Sequence, residues 1–472
     1  MKKIVFSLIL VSVILPSQYL KAQDRSDFKS AAGSWLGRIP AGGISLRIIF
    51  NLTLAGADSL TATLDSPDQG AKNIKIGPVI LKGKEINIKA PLLLGEYRGT
   101  LKNDTLIEGT WTQAGRETQL SLTKLKAAFT LNRPQEPKPP FPYLQEDVTF
   151  RNEKAGIDLA GTLTIPEGTG PFPAVVLITG SGTQNRNEEL LGHKPFLVIA
   201  DHLTRQGIAV LRYDDRGAGK SKGTPLNATS ADLATDAEAA FSYLSSRKEI
   251  NPKSIGLAGH SEGGLIAPIV SSTNTDVAFI VSLAGPGVTG EKIINTQNRE
   301  ISLASGVDAR KIKESISINK KLFAVLKKES DNEAAQEKII ALYRKIIAKQ
   351  NQTTEETDAA VKQLSSSFNP GSNDWMRYFL ITDPAVFWKK VKCPVLALNG
   401  EMDLQVSAKV NLPAIEKALK SGGNNSVMTI SLPGLNHLFQ HCKTGAPSEY
   451  GEIEETFSPE VLKIMADWIL KL

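Results

Sequence analysis

The stretch that decides the fold is Ile255-Gly256-Leu257-Ala258-Gly259-His260-Ser261-Glu262-Gly263-Gly264-Leu265-Ile266-Ala267. Ile255–Ala258 is a short apolar run of strand type, and Gly263 onward opens a helix. Between them, Gly259-His260-Ser261-Glu262-Gly263 matches G-x-S-x-G. A serine on such a strand-to-helix elbow is presented above a sheet as a nucleophile. Gly259 and Gly263 belong there because the elbow leaves no room for side chains. The five-residue pattern alone is weak; the strand before it and the helix after it give it weight.

A serine hydroxyl is a poor nucleophile until a base takes its proton. On this kind of elbow the base is a histidine that comes last in chain order, after the acid. The chain has five histidines. His437 follows the strand-like Val427–Ser431 and the turn Pro433-Gly434, where the base belongs. His441 is its local competitor. His193 and His202 precede the elbow, out of order, and read as surface or helix-packing residues. The His260 side chain is expected to point away from the nucleophile's pocket. The third member must hold the imidazole in one tautomer and stabilise its positive charge. Asp403, in Asn399-Gly400-Glu401-Met402-Asp403, lies just beyond the strand-like Val395–Leu398, with Glu401 as the alternative. The candidate catalytic set is therefore Ser261, Asp403 and His437, each at a strand's C-terminal end.

A developing oxyanion needs backbone N–H donors. One is expected from Glu262, the residue after the nucleophile. The other is expected from the loop Thr179-Gly180-Ser181-Gly182 that follows Pro173–Thr179, with Ser181 first and Gly182 second. Gly217-Ala218-Gly219-Lys220-Ser221 ends like a phosphate-binding loop. The full pattern needs a glycine where Asp214 stands, so no phosphate site is inferred. No H-E-x-x-H or Cys/His cluster points to a metal, and no cofactor is called for.

Around this centre the chain reads as strands alternating with helices from about residue 145. Val148–Phe150 and Asp158–Ile165 open as an antiparallel pair. The apolar run Pro173–Thr179 suits a strand buried on both faces. Helix Leu197–Gln206, strand Ala209–Tyr213, helix Ala231–Ser246 and strand Ala278–Leu283 follow, and Pro459–Leu470 closes as a helix. This alternation predicts a mostly parallel sheet with helices on both faces. Residues 288–390 interrupt it as a helical insertion. Ile312, Ile316, Phe323 and Leu326 form one stripe, and Ile339, Leu342, Tyr343, Ile346 and Ile347 another. We read the insertion as a cap over the C-terminal ends of the strands.

Residues 24–130 have a different grammar: short β-like runs with turn signals about every ten residues. Examples are Ser45–Leu54, Ser59–Leu64, Glu85–Ile88, Gly95–Leu101, Thr105–Thr112 and Thr118–Leu122. They predict a small all-β barrel or sandwich, without a single histidine. Residues 131–144, with five prolines in the eleven residues Asn132–Pro142, read as a stiff linker.

Lys2 and Lys3, the apolar run Ile4–Leu15 and the small residue Ala22 read as a signal peptide over residues 1–22. That implies export to the periplasm or beyond. The formal net charge is +6, and removing Lys2, Lys3 and Lys21 leaves +6 − 3 = +3. Such a balance argues against nucleic acid as a partner. No later stretch is long and apolar enough for a transmembrane span. The two cysteines, Cys393 and Cys442, fall at opposite ends of the sheet. A strand separates those ends by about 17–20 Å, beyond disulfide reach, so two free thiols are expected.

Taken together, Thr179–Arg186, Arg212–Gly217, Gly259–Gly264, Ser282–Gly287, Asn399–Asp403 and Gly434–Gln440 resemble α/β-hydrolases of the serine aminopeptidase-like branch, exported bacterial esterases in particular. The likeness covers about residues 145–472. It implies an eight-stranded hydrolase core, a cap between the sixth and seventh strands, a triad on Ser261, Asp403 and His437, and a preference for short acyl esters. The family's oxyanion loop often begins with histidine. Here Thr179 takes that place and Gly180 is kept, which leaves a hole built from backbone intact. The N-terminal β region matches nothing in the catalytic family.

The leading expectation is a secreted serine hydrolase cleaving small-molecule carboxylic esters through an acyl-enzyme. Trp375, Tyr378 and Phe379 are candidates for lining the acyl or alcohol pocket, against the simpler reading that they pack the cap's own core. The alternatives on the same triad are an aminopeptidase, with Glu262 as a candidate for the substrate ammonium, and a thioesterase or acyltransferase. A glycan-binding or surface protein working through its β domain is the reading from another class. Oligomeric state is not legible.

Overall fold

The computed structural model describes residues 26–41, 44–56, 58–113, 116–348 and 353–472. The proposed signal peptide, residues 1–22, lies outside the described residues. The chain divides into two compact units, Met1–Leu131 and Asn132–Leu472.

The first unit opens with a short helix, α1 (26–31), followed by nine antiparallel strands. They are β1 (Gly33–Ala41), β2 (Ile44–Leu54), β3 (Leu60–Ser66), β4 (Ala71–Lys75), β5 (Val79–Lys82), β6 (Glu85–Ala90), β7 (Gly95–Asn103), β8 (Leu106–Gln113) and β9 (Arg116–Lys124). Each pairs largely with its neighbours in sequence. β1 pairs β9, and β3 bridges to β5 through Leu60 and Val79, so the sheet closes into a barrel, with β4 appended to β3. Period-2 alternation sends one set of side chains inward. In β6, Ile86, Ile88 and Ala90 are buried while Glu85 and Lys89 are exposed. Trp35, Phe50, Tyr97 and Trp111 fill the interior, with Phe50 5.7 Å from Tyr97 and 5.8 Å from Trp111 between ring centroids. A barrel of this size is just wide enough to be packed by its own side chains. Strands β1, β4 and β5 are absent from the sequence reading. β1 carries Gly33, Gly37 and Pro40, residues disfavoured within strands, and β4 and β5 are only five and four residues long.

The second unit is built on an eight-stranded sheet: β10 (Leu144–Asn152), β11 (Ile157–Ile165), β12 (Phe172–Ile178), β13 (Ala209–Tyr213), β14 (Ile250–His260), β15 (Phe279–Leu283), β16 (Val395–Gly400) and β17 (Val427–Leu432). The spatial order is β10-β11-β13-β12-β14-β15-β16-β17. β10 and β11 are antiparallel to each other and β11 to β13; the remaining pairs are parallel. On one face, α2 (Pro195–Arg205) and α12 (Pro459–Ile469) cover Val175, Leu177 and Val210. On the other, α3 (Ser230–Ser245), α4 (Gly263–Ser271) and α11 (Ala408–Ser421) cover Ala174, Val176, Ile178 and Leu211. The apolar run of β12 follows from this sandwiching: Ala174–Ile178 are all buried, alternate residues facing alternate layers.

Helices α5 (Gly290–Ala304), α6 (Ala309–Lys328), α7 (Asn332–Ile347), α8 (Thr354–Ser367), α9 (Asn373–Ile381) and α10 (Ala385–Trp388) lie between β15 and β16, the sixth and seventh strands of this sheet. Leu322, Phe323, Leu326, Ala335, Ile339 and Leu380 make their core. Among the described residues, no helix is long and apolar enough to cross a membrane.

The proline-rich segment read as a linker, 131–144, is instead fastened to the second unit from Asn132 onward. Arg133 donates to the carbonyls of Ile453, Leu191 and Gly451, each at 3.0 Å. Gln135 exchanges hydrogen bonds with the backbone at Thr456 and Phe457. Tyr143 donates to Asp201 at 2.9 Å. Within the segment the Glu136 N–H donates to the Arg133 carbonyl at 3.1 Å, and the Arg133, Gln135 and Tyr143 side chains tie it to the second unit. Cys393 and Cys442 are both free.

Candidate active site

Ser261 sits where β14 ends and α4 begins, in the left-handed region at φ +50°. A non-glycine residue there is strained, and the surroundings hold it: its N–H donates to the Leu283 carbonyl at 2.8 Å. The flanking glycines are required by close approach. A Cβ on Gly259 would strike the Gly263 carbonyl, and one on Gly263 would strike the Ile178 carbonyl.

His437 lies in the loop after β17. Its Nδ1 is 2.8 Å from Oδ2 of Asp403, with both residues buried. Asp403 is fixed by three more donors: the Gln405 and Val406 amides at 2.8 Å and Asn399 Nδ2 at 3.1 Å. The Glu401 N–H donates to Leu432 and the Met402 N–H to Leu435, joining the acid's loop to the histidine's. Within the latter, Asn436 Oδ1 accepts from the amides of Leu438 and Gln440. The two competitors stand elsewhere: Glu401 is exposed, and His441 is exposed and paired with Glu455 at 2.8 Å.

Ser261 and His437 line one cavity of about 420 Å³, together with Ser181, Glu262, Trp375 and Phe379. A second cavity of about 520 Å³ shares Ser181, Glu262 and Trp375 as its wall. Trp375 and Phe379 stack at 5.4 Å between centroids. Tyr378, expected beside them, lines neither cavity, because it leaves α9 in another direction from residues one turn apart. Ser181 and Glu262 stand in the wall beside Ser261, and no backbone acceptor takes the N–H of either among the described residues.

Three features were not legible in the sequence. Glu262 is buried, and its Oε1 accepts from Ser230 at 2.6 Å and from Trp375 Nε1 at 2.8 Å. Burial raises its carboxyl pKa against the pull of those donors. The side chain thus fastens α9 to the elbow. Second, Asp215 takes the Thr179 hydroxyl at 2.7 Å and the Gln184 amide at 2.8 Å, bracing the loop that carries Ser181; burial pushes its pKa up to about 7. Third, His260 does not point away from the pocket: it lines the same cavity, with its ring 4.8 Å from that of His437. Its partner across the fold, Glu188, pulls it there at 2.9 Å.

Residues 194–348 match the family model described as serine aminopeptidase, S33. The second unit has the α/β-hydrolase fold, and the matched stretch within it is similar to the serine aminopeptidase family. Esterase EstD of Thermotoga maritima is 31% identical over 172 residues, which are 36% of this chain and 40% of that protein. The uncharacterized protein YfhR of Escherichia coli is 33% identical over 125 residues, 26% of this chain and 41% of that one. The chain thus spans about two-fifths of the length of these relatives. Among solved structures, the Pyrococcus furiosus esterase Pf2001 is similar at 16% identity and a TM-score of 0.41, over 70% of this chain and 93% of that one.

Proposed function

We propose that this hydrolase cleaves carboxylic esters through an acyl-enzyme on Ser261. The observation that carries the reading is the 2.8 Å contact of His437 Nδ1 with Asp403, at a cavity that Ser261 also lines. With Nδ1–H donated to the carboxylate, the lone pair of the neutral ring is on Nε2. That nitrogen takes the Ser261 proton as Oγ bonds to the acyl carbon. The carbonyl electron pair moves to oxygen, where the N–H groups of Glu262 and Ser181 receive it, each worth about 10²–10³ in rate. Collapse expels the alcohol, protonated by His437. Water then gives a proton to His437 as it attacks the acyl carbon; collapse breaks the bond to Ser261 Oγ, which takes that proton back from His437, and the acid leaves.

The choice of ester is supported by the relationship to a protein named an esterase. The choice of short chains is supported by a cavity of about 420 Å³ bounded by Ile293, Trp375 and Phe379. Residues 1–22 are read as an export leader, which N-terminal sequencing of protein recovered outside the cytoplasm would test. The activity test is a panel of acyl esters of rising chain length, peptidyl amides and acyl thioesters with purified protein. Turnover of short esters, lost in Ser261→Ala, is expected. Turnover of N-terminal amides with esters untouched overturns the ester reading.

A further inference from the structure

Two buried ionisable residues outside the Ser261, Asp403 and His437 set converge on it. Glu188 is 4% exposed and His260 7%. His260 Nδ1 lies 2.9 Å from Glu188 Oε1, and its Nε2 lies 3.0 Å from the main-chain oxygen of His437. A carboxylate and a carbonyl only accept. Hydrogen bonds at both nitrogens therefore require a ring protonated on both, an imidazolium against a carboxylate. The same Glu188 oxygen also accepts the Gly180 N–H at 2.7 Å.

Three loops from three strands thus meet on one ion pair. Gly180 follows β12 and precedes Ser181. His260 ends β14 and precedes Ser261. His437 follows β17. Glu188 itself is held at φ +50°. The loop that carries it is bent back by Arg186, whose amide and Nε donate to Asp214 at 2.9 and 3.0 Å, and by Asn187, hydrogen-bonded to Arg212.

We propose that Glu188 and His260 are positioning residues that set the oxyanion loop and the catalytic imidazole in register with each other; this rests on the reading of Ser261, His437 and Ser181 given above. Neither residue gives or takes a proton in the reaction. Each acts through the backbone it holds: Gly180 on one side, the His437 carbonyl on the other. Removing one partner strands the other's charge, so the loops shift to relieve it. A displacement of about 1 Å among reacting groups costs ~10²-fold in rate.

The test is steady-state kinetics of the purified full chain on the ester turned over by the wild type, with Glu188→Gln, His260→Gln and the double variant. Circular dichroism and melting confirm the fold of each. Each single variant is expected to lower kcat by ~10–10²-fold while KM moves by less than about threefold, since Ile293, Trp375 and Phe379, the apolar bounds of the acyl pocket, are unchanged. The double variant is expected to lose no more than the worse single one, because both act through one link. Unchanged kcat in folded single variants overturns the proposal, even with a lowered melting temperature, and so do additive losses in the double variant. Should His260→Gln not fold, the isosteric Glu188→Gln carries the test. Ser261→Ala runs alongside. Turnover retained there refutes the nucleophile, whereas turnover abolished there with kcat intact in the pair variants refutes the pair alone.

Discussion

Nδ1 of His437 is 2.8 Å from Oδ2 of Asp403, and the other carboxylate oxygen of Asp403 is tied down by two backbone amides, those of Gln405 and Val406. The acid is thus oriented by main chain, and the imidazole by the acid. Asp403→Asn keeps an oxygen for the two amides but can turn a donor toward Nδ1, favouring the wrong tautomer. We expect kcat to fall by about 10⁴-fold with the melting temperature almost unchanged. A loss below tenfold in ester turnover would remove Asp403 from the proposed triad.

Gly263 is a steric requirement. Its missing Cβ leaves room for the Ile178 carbonyl at the end of β12. Because the obstacle is backbone, a side chain cannot rotate away to make space. Gly263→Ala should destabilise the second unit by about 3 kcal/mol or more, at the upper end of overpacking costs. Urea unfolding followed by circular dichroism measures this, and a shift under 1 kcal/mol would contradict it.

Asp215 should leave a signature in the pH dependence of stability. Burial pushes its pKa up to about 7, against about 3.9 in an unfolded chain. Between these values the folded state keeps a proton that the unfolded state has lost. The group's contribution is therefore greatest below about pH 4 and is lost as pH rises through about 7. Relative to wild type, Asp215→Asn should gain stability steadily as pH is raised across that window. Parallel urea-midpoint curves for the two proteins between pH 4 and 8 would refute it.

In the barrel, Arg47 and Asp68 form a buried pair. The Arg47 amide donates to Asp68 at 2.6 Å, and its Nε reaches the same carboxylate at 2.9 Å. Removing one partner leaves an uncompensated charge in a dry interior, at a cost of about 3–5 kcal/mol. Asp68→Ala is expected to unfold the first unit at markedly lower urea. Replacing both, as Arg47→Met with Asp68→Leu, should recover much of that loss. A double variant as unstable as the single one would show that the pair's geometry, not stranded charge, sets the cost.

The elbow, the order of its partners and the alternation of strands and helices were readable because each depends on contiguous residues. A period of two or 3.6 is visible over a few turns of chain, and so is the need for glycine beside a strained serine. The choice of His437 over His441 rested on one turn's placement. In the structure it rests on what stands opposite: Asp403 for the first, Glu455 for the second. The orientation of His260 was misread for the same reason, since its partner Glu188 is 72 residues away.

By itself, then, the sequence determined the architecture of the second unit and the all-β character of the first, and it pointed to three candidate residues at the ends of three strands. Local sterics and hydrophobic periodicity are written along the chain, so no fold is needed to see them. Only the tertiary structure decided that the first unit closes as a barrel, that the proline-rich segment is pinned to the second unit, that Glu262 anchors Trp375, and that Glu188 and His260 join three loops beneath Ser261. Each of these is a contact between distant residues. Whether a buried polar group finds its partner depends on which strands become neighbours, and no local pattern encodes that.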